Sequence, residues 1–138
     1  MKTIKEIEKE WIADFEALPT WEDKYAYLME IAAGLPVLDE ADKTDETLVE
    51  GCRSASWLKA GKKDGKLWYR ADSEAPLGRG VMSLLLQIVN GHTPEEIAGY
   101  DFHIVRAIDL EKHLSPVRRA GLRAFIERIK TIASENLQ

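Results

Sequence analysis

The spacing of apolar and polar positions predicts a long helix near each end of the chain. The first runs from Ile4 to Leu18, where apolar residues recur every three or four positions along one face. Thr3 and Glu6 have the spacing of a capping box at its start. The last helix begins at Ser115-Pro116, and its apolar face carries Leu122, Phe125, Ile126, Ile129 and Ile132.

A second helix is predicted after the first. Thr20 is a favourable cap for its start, and the sequence Gly34-Leu35-Pro36 predicts its end, because glycine followed by proline stops a helix. The stretch from Asp39 to Glu50 that follows is acidic and has few apolar anchors, which indicates a surface loop.

Two short segments in the middle of the chain predict an antiparallel β-hairpin. The first, Cys52 to Ala60, is poor in helix formers, and the second, Lys66 to Ala71, carries the aromatic pair Trp68 and Tyr69. Asp64-Gly65 between the segments is a typical hairpin turn dipeptide.

The remaining segments complete an α+β pattern. A buried helix is expected from Pro76 to Asn90, with Gly91 just beyond its end, and a short helix is expected to begin at Thr93-Pro94. The stretch from Asp101 to Leu110 is ambiguous between strand and helix. Helices, a small sheet and then helices predict one α+β domain over residues 1–138.

Composition and charge exclude several classes of protein. The chain is 45% hydrophobic and 31% charged, which is typical of a globular protein, and its net charge of −5 argues against a nucleic-acid partner. The longest apolar stretch, Val81 to Val89, is too short to span a bilayer. Met1 to Glu10 lacks the apolar core of a signal peptide, and a single cysteine fits a reducing compartment, so we expect a cytoplasmic protein without membrane partners.

The single cysteine, Cys52, is the candidate nucleophile. A lone intracellular cysteine is more often an inert, buried hydrophobic residue. Three features favour function: the position between a polar loop and the hairpin, Gly51 before it, which permits a sharp turn, and Arg53 after it, which would favour the thiolate.

Five blocks of sequence, in order, resemble the SufE family. The block around the cysteine, V-E-G-C-R-S-A-S-W at 49–57, is similar to the family's V-x-G-C-Q-S-x-V-W. The other four blocks are L-P-V-L at 35–38, A-D-S-E-A at 71–75, G-H-T-P-E-E-I at 91–97 and H-L-S-P-V-R-R-A-G-L at 113–122.

The resemblance implies a fold and a role. SufE-like proteins have a small curved antiparallel sheet packed by helices, as in IscU-type scaffolds. They accept sulfur from a PLP-dependent cysteine desulfurase of the SufS type, enhance its activity and deliver sulfur to an Fe–S scaffold of the SufBCD type. By position, Cys52 would carry the sulfur as a covalent persulfide. This implies no cofactor or metal of the chain's own, since PLP belongs to the partner, and either a monomer or a weak homodimer.

Six residues are expected to support the cysteine loop or to bind the partner: Glu50, Gly51, Arg53, Asp72, Glu74 and Arg118. For Asp72 a structural role is the stronger alternative, since it or Ser73 is placed to cap the helix entered through Pro76. The pair Asp72 and Glu74 is a weaker candidate for acid/base work. Arg118 is alternatively a solvated residue of a first helical turn.

The chain departs from the family pattern close to the cysteine and in the Ser-Pro block. The departing residues are Arg53, Ala55, Ser56, Gly78, Val117 and Ala120. They leave open which desulfurase is recognised.

Three other functions remain open at this stage. A cluster scaffold is disfavoured, because clusters need about four thiolates or close substitutes. A non-catalytic module that regulates a desulfurase is the main alternative. A cysteine hydrolase would need His92 or His113 beside Cys52. The three histidines have no metal-ligand spacing and are expected at turns or on the surface, the four tryptophans in core or half-buried positions, and Gly121 at a close packing contact.

Overall fold

The computed structural model describes residues 2–137 and begins with two capped helices. Helix α1 spans Ile4–Glu16 and helix α2 spans Trp21–Ile31, which a short 3₁₀ turn extends over Ala32–Gly34. The hydroxyl of Thr3 accepts the Glu6 amide at 3.1 Å while the Glu6 carboxylate accepts the Thr3 amide at 2.9 Å. This confirms the predicted capping box.

The predicted hairpin is present and starts later than expected. Strand β1 spans Ser56–Lys63 and pairs antiparallel with strand β2, Lys66–Ser73. Asp64 and Gly65 form the turn with φ of 54° and 78°, the left-handed pair that a two-residue hairpin requires. Because β1 begins at Ser56, Cys52 lies outside the sheet in the loop before it.

The outer edge of β2 is covered by other parts of the chain. The Ala71 amide donates to the Pro36 carbonyl at 3.0 Å, and the Ala71 carbonyl accepts the Leu38 amide at 3.1 Å. Next along the strand, the side-chain amide of Asn90 bonds both backbone groups of Tyr69, at 2.7 and 3.1 Å. A side chain thus occupies the place of a neighbouring strand residue.

Helix α3, Pro76–Val89, is the centre of the core. Ten of its 14 residues are buried, and it packs against α2 and β2. Gly91 follows its end with a φ of 83°, as the sequence predicted. Helix α4, Pro94–Ala98, has the capping box formed by Thr93 and Glu96.

The ambiguous stretch from Asp101 to Leu110 contains a short helix, α5, Ile104–Ala107. Its first amide is bound by a distant residue, since the buried carboxylate of Glu8 accepts the Ile104 amide at 3.0 Å and the Tyr100 hydroxyl. A 3₁₀ turn at Glu111–His113 then leads to helix α6, Pro116–Glu135, which Ser115 caps as predicted. The order of elements confirms the α+β class.

The tryptophans only partly fit their expected positions. Trp11, Trp21 and Trp57 are half-buried, but Trp68 on β2 is 49% exposed, so its predicted role as an anchor in or beside the core was wrong. Alternation along the strand explains this position, because Leu67 and Tyr69 take the two adjacent core-facing sites. Within residues 2–137, no helix combines the length and the apolar character needed to cross a membrane.

Candidate active site around Cys52

The cysteine lies on a loop of residues 50–55, here called the cysteine loop, between a buried anchor and the start of β1. The anchor is Val49, whose amide donates to the Ser56 carbonyl at 2.8 Å. Gly51 has a φ of 96°, which L-residues rarely adopt. The sharp turn expected at Gly51 is therefore confirmed, and it directs the next residue, Cys52, towards α6.

Two small residues on α6 allow this approach. The thiol of Cys52 donates to the Gly121 carbonyl, with 3.6 Å between sulfur and oxygen. A Cβ atom at Gly121 would lie 3.5 Å from Cys52 Sγ, and one at Gly51 would lie 3.1 Å from the Ala124 methyl. The predicted close contact at Gly121 is confirmed, and its partner is the cysteine itself.

Half-buried Cys52 lines a cavity of about 350 Å³ between the cysteine loop, α3 and α6. Most of the wall is hydrocarbon, from Leu77, Val81, Met82, Leu114, Leu122 and Phe125. Liquid water occupies about 30 Å³ per molecule. The cavity therefore has room for an additional sulfur atom on Cys52.

Burial raises the pKa of the Cys52 thiol, and a hydrogen bond from Ser56 lowers it by less. The buried environment disfavours the thiolate because a charge is poorly solvated there. Arg53 is exposed and does not lower this pKa. The expectation that Arg53 lowers this pKa was wrong, since the causes that act on it are burial and Ser56.

Ser56 and Ser73 form a buried hydroxyl pair on the cavity wall. They are cross-strand neighbours with 3.0 Å between their oxygens. Ser73 Oγ also accepts the Ala75 amide at 3.1 Å, so its own proton can be donated to Ser56. Ser56 Oγ lies 3.1 Å from the Ser54 carbonyl oxygen and donates its proton there, and rotation of the hydroxyl would direct that proton to a thiolate at Cys52.

Sequence reasoning did not assign Ser56 to the site. The sequence did contain a signal for it, because the hydroxyl of Ser56 replaces the valine of the SufE pattern four residues after the cysteine.

The residues predicted to support the site are divided between two places. Arg53 and Arg118 line the cavity with Cys52, and Arg118 is in no ion pair among residues 2–137. Glu50, Asp72 and Glu74 do not line it. The Glu74 amide donates to the Ala55 carbonyl at 3.0 Å, so its backbone holds the end of the cysteine loop.

Asp72 belongs to an ion cluster, here called the Asp72 cluster, with Lys43 and Arg79. Its carboxylate is 2.8 Å from Lys43 Nζ and 3.2 Å from Arg79 Nε. Partial burial raises the pKa of Asp72, but bonds from Lys43 and the Ser73 amide outweigh it and hold the pKa below its usual value. The prediction that Asp72 or Ser73 caps α3 was wrong, since the cap residue is Ala75 and no side chain bonds there as a cap.

The Asp72 cluster ties three segments together. Lys43 comes from the acidic loop, Asp72 from β2 and Arg79 from α3. The Lys43 ammonium also lies 5.0 Å from the ring centroid of Trp57 on β1. Sequence reasoning missed Lys43 and Arg79, because nothing local connects them with Asp72.

No histidine lines the cavity. His113 is exposed and stacks on Trp21 with ring centroids 4.1 Å apart. His92 is buried in a β-bridge with Leu67, with its ring nitrogens 3.1 Å from the Val89 carbonyl and 3.0 Å from the Lys2 carbonyl, so the expected turn or surface position was wrong. The geometry does not supply the base that a cysteine hydrolase needs.

A cluster scaffold finds no support in the side chains either. Within residues 2–137 there is no group of three or more His, Cys, Asp or Glu side chains placed to hold a metal ion. The chemistry at Cys52 is therefore that of a single thiol in a largely apolar cavity.

Comparisons with known proteins agree with this architecture. Residues 9–133 match the family model of SufE, described as an Fe-S metabolism associated domain. An uncharacterized SufE-like protein of Rhizobium meliloti is 37% identical over 131 residues, which cover 91% of this chain and 94% of the relative. Another from Rhizobium etli is 37% identical over 124 residues, or 86% and 84% of the two chains.

A solved structure supports the fold. The solution structure of a hypothetical protein from Thermus thermophilus superposes with a TM-score of 0.79 at 23% identity, covering 94% of this chain and 95% of the other. The family match covers most of the chain and includes all five sequence blocks that resemble the family, which lie between residues 35 and 122. The chain belongs to the SufE family, which is associated with Fe–S metabolism.

Proposed function

We propose that this protein accepts sulfur on Cys52 from a PLP-dependent cysteine desulfurase of the SufS type and carries it to an Fe–S scaffold of the SufBCD type. The observation that carries the proposal is the position of the only cysteine, half-buried in a cavity that has room for one more sulfur atom. The proposed compartment is the cytoplasm, where thiols stay reduced.

The transfer is an exchange between a thiolate and a persulfide. The Cys52 thiolate attacks the outer sulfur of the desulfurase persulfide, a new S–S bond forms and the donor's S–S bond breaks. The donor cysteine leaves as a thiolate and the persulfide proton stays on the transferred sulfur, so no electron donor or acceptor is needed. A thiolate of the acceptor later attacks the same outer sulfur and regenerates the Cys52 thiolate.

The raised pKa of Cys52 would make the thiol unreactive in the free protein and reactive only when its surroundings change. In the free protein burial keeps the thiol protonated, and a protonated thiol is a poor nucleophile. If docking draws the cysteine loop away from Gly121, the desolvation that raises the pKa is relieved. The same movement exposes the sulfur to the donor, so reactivity appears only on the partner.

Polar residues of the cavity have separate proposed roles. Ser56 donates its proton to the thiolate and stabilises the charge that attacks. Arg53 and Arg118, at the exposed part of the cavity, attract the anionic sulfur species and the surface of the donor. Glu50 in the loop and Glu74 beside it are exposed and are proposed to contact the desulfurase.

Mass spectrometry of the intact protein tests the proposal. After incubation with a SufS-type desulfurase and cysteine, we expect Cys52 to gain one sulfur atom that a reductant removes. Cys52→Ser should gain none and should no longer enhance desulfurase turnover. Enhancement that survives in Cys52→Ser would instead support the regulatory module, and no sulfur on wild-type Cys52 would refute the carrier.

Alkylation tests the two states. The rate of Cys52 modification by iodoacetamide is expected to be low in the free protein and to rise when desulfurase inactivated at its own cysteine is added. Equal rates with and without the partner would contradict exposure on docking.

A further inference from the structure

The solvent side of the hairpin carries a concentration of positive charge in an acidic protein. We call this surface the hairpin face; it consists of Lys59, Gly61, Lys63, Lys66, Trp68 and Arg70. An open groove of about 800 Å³ runs beside it, with five cationic and two acidic side chains in its wall. The whole chain, in contrast, has a net charge of −5.

The strand register places like charges opposite each other. Lys63 faces Lys66 and Lys59 faces Arg70 across the hairpin. Like charges directly opposite on one face of an antiparallel pair destabilise it. Lys59 is offset by Asp42 at 3.0 Å, but neither Lys63 nor Arg70 is in an ion pair among the described residues.

Trp68 lies between these two cationic pairs and is 49% exposed. Its cross-strand neighbour is Gly61, which has no side chain to cover the indole. An exposed tryptophan surrounded by charges has the composition of a protein interface, where aromatic residues form the centre and charges the rim.

We propose that the hairpin face docks an acidic segment of a protein partner, with Trp68 as the central anchor. Lys63 and Arg70 attract the carboxylates of that segment, and the indole packs against an apolar side chain between them. This function is separate from sulfur transfer and does not depend on Cys52.

Charge favours a local acidic segment over a nucleic acid. A nucleic acid presents an extended array of phosphates, which the negative charge of the remaining surface repels. A protein segment places its carboxylates only at the patch, so it gains the attraction without that repulsion.

The turn end of the hairpin face, with Lys63 and Lys66, is distant from the cysteine loop, whereas Lys59 and Arg70 lie about 10 Å along the strands from its end. β1 has eight residues, and a strand rises about 3.3 Å per residue, so its turn end lies roughly 20 Å beyond the end that adjoins Cys52. A partner on the cationic end therefore leaves Cys52 accessible.

Fluorescence anisotropy tests the proposal directly. The probe is a short fluorescein-labelled peptide of alternating Glu, Asp and Leu, compared with its Gln and Asn counterpart. We expect the acidic peptide alone to bind, and binding to weaken as salt rises. No binding of the acidic peptide at low salt would overturn the proposal.

Two double variants distinguish binding at the hairpin face from nonspecific electrostatic attraction to the whole protein. Lys63→Glu with Arg70→Glu should weaken binding about tenfold, since each exposed charge pair contributes up to a factor of about five. The melting temperature of this double variant should equal or exceed that of the wild-type protein, because both changes replace like-charge pairs with opposite ones. Lys5→Glu with Lys9→Glu on α1 makes the same change in net charge and should leave binding within about twofold.

Trp68→Ala keeps every charge and should still weaken the acidic peptide about fivefold, with Trp68→Phe between it and wild type. Cys52→Ser should bind the peptide as wild type does, so failure here is distinguishable from failure of sulfur transfer. Equal binding by wild type and Trp68→Ala, or tighter binding of oligothymidylate than of the peptide, would refute an acidic protein partner.

Discussion

The cysteine loop and the Asp72 cluster both lie at the base of the hairpin, yet they are held in different ways. Cys52 is held to α6 by one weak thiol bond, 3.6 Å long, and by close contact at Gly121. Asp72 is held by two cations from two other segments, at 2.8 and 3.2 Å. Cys52 and Asp72 both come from blocks that resemble the SufE family, but only the loop carries the reacting atom.

The difference shows how a reacting loop can move without loosening the protein. Displacing Cys52 breaks one weak bond and leaves no ion unpaired, so its cost is small. Displacing Asp72 would break two ion pairs and leave the partly buried carboxylate without its cations, which is more costly, although Lys43 would keep its pair with Glu40. The cluster thus ties the acidic loop, β2 and α3 together and would stay intact during the proposed opening of the cysteine loop.

The weak attachment of the cysteine loop is tested most directly by placing a larger side chain at position 121, where the loop contacts α6. Gly121→Val places methyl groups where Cys52 Sγ lies, because even a Cβ atom there would be 3.5 Å from the sulfur. Overpacking of this kind costs about 1–3 kcal/mol, so we expect iodoacetamide to modify Cys52 at least about fivefold faster in the free protein.

Gly121→Ala is the matched control for this prediction. Its single methyl makes an ordinary contact and improves helix propensity by about 1 kcal/mol, so stability should rise and alkylation should not change. If valine at position 121 leaves the alkylation rate unaltered while the protein stays folded, the loop is not held by this contact.

The Asp72 cluster is tested by stability. Asp72→Asn keeps the shape of the side chain but removes the charge that faces Lys43 and Arg79. We expect a loss of about 1–2 kcal/mol in the free energy of unfolding, less than for a fully buried pair because Arg79 is partly exposed. Asp101→Asn, whose pair with Arg106 is exposed, should cost less than about 0.5 kcal/mol.

The pH dependence of this loss has a definite sign. The pKa of Asp72 is lower in the folded protein than in the unfolded chain, so its contribution is present above the ordinary value of 3.8 and is lost as the pH falls through the folded pKa. The stability difference between wild type and Asp72→Asn should therefore shrink below about pH 4. A difference that stays constant under acid would show that charge is not its cause.

The smallest effect is expected at Ser56. Ser56→Ala removes the hydroxyl that lowers the pKa of Cys52, while burial, which raises it, remains. The midpoint of the alkylation pH profile should move upward, and the rate at neutral pH should fall about threefold. Ser54→Ala removes a hydroxyl from the same cavity without touching the Ser56–Ser73 pair and should not shift the midpoint.

Much of the fold follows from local signals. The caps at Thr3, Thr20, Thr93 and Ser115 begin their helices as predicted, because each cap depends on residues within one turn. The turn at Asp64-Gly65 likewise sets the hairpin register without help from the rest of the chain.

Features that depend on distant contacts were not predictable. Helix α5 is stabilised by Glu8, which lies 96 residues away from the Ile104 amide it binds. Asp72 was expected to cap α3, because Lys43 is not visible as its partner until the loop folds back. For the same reason the position of Cys52 was predicted correctly, but the control of its pKa was assigned to adjacent Arg53 rather than to Ser56 and burial.

The Asn90 amide that completes the edge of β2 has a consequence for the protein at high concentration. A two-stranded sheet has two edges, and an uncovered one can recruit a strand from another molecule and start aggregation. The backbone groups of Tyr69 are already paired with Asn90, and those of Ala71 with Pro36 and Leu38. The covered edge of β2 therefore resists strand-by-strand association between copies.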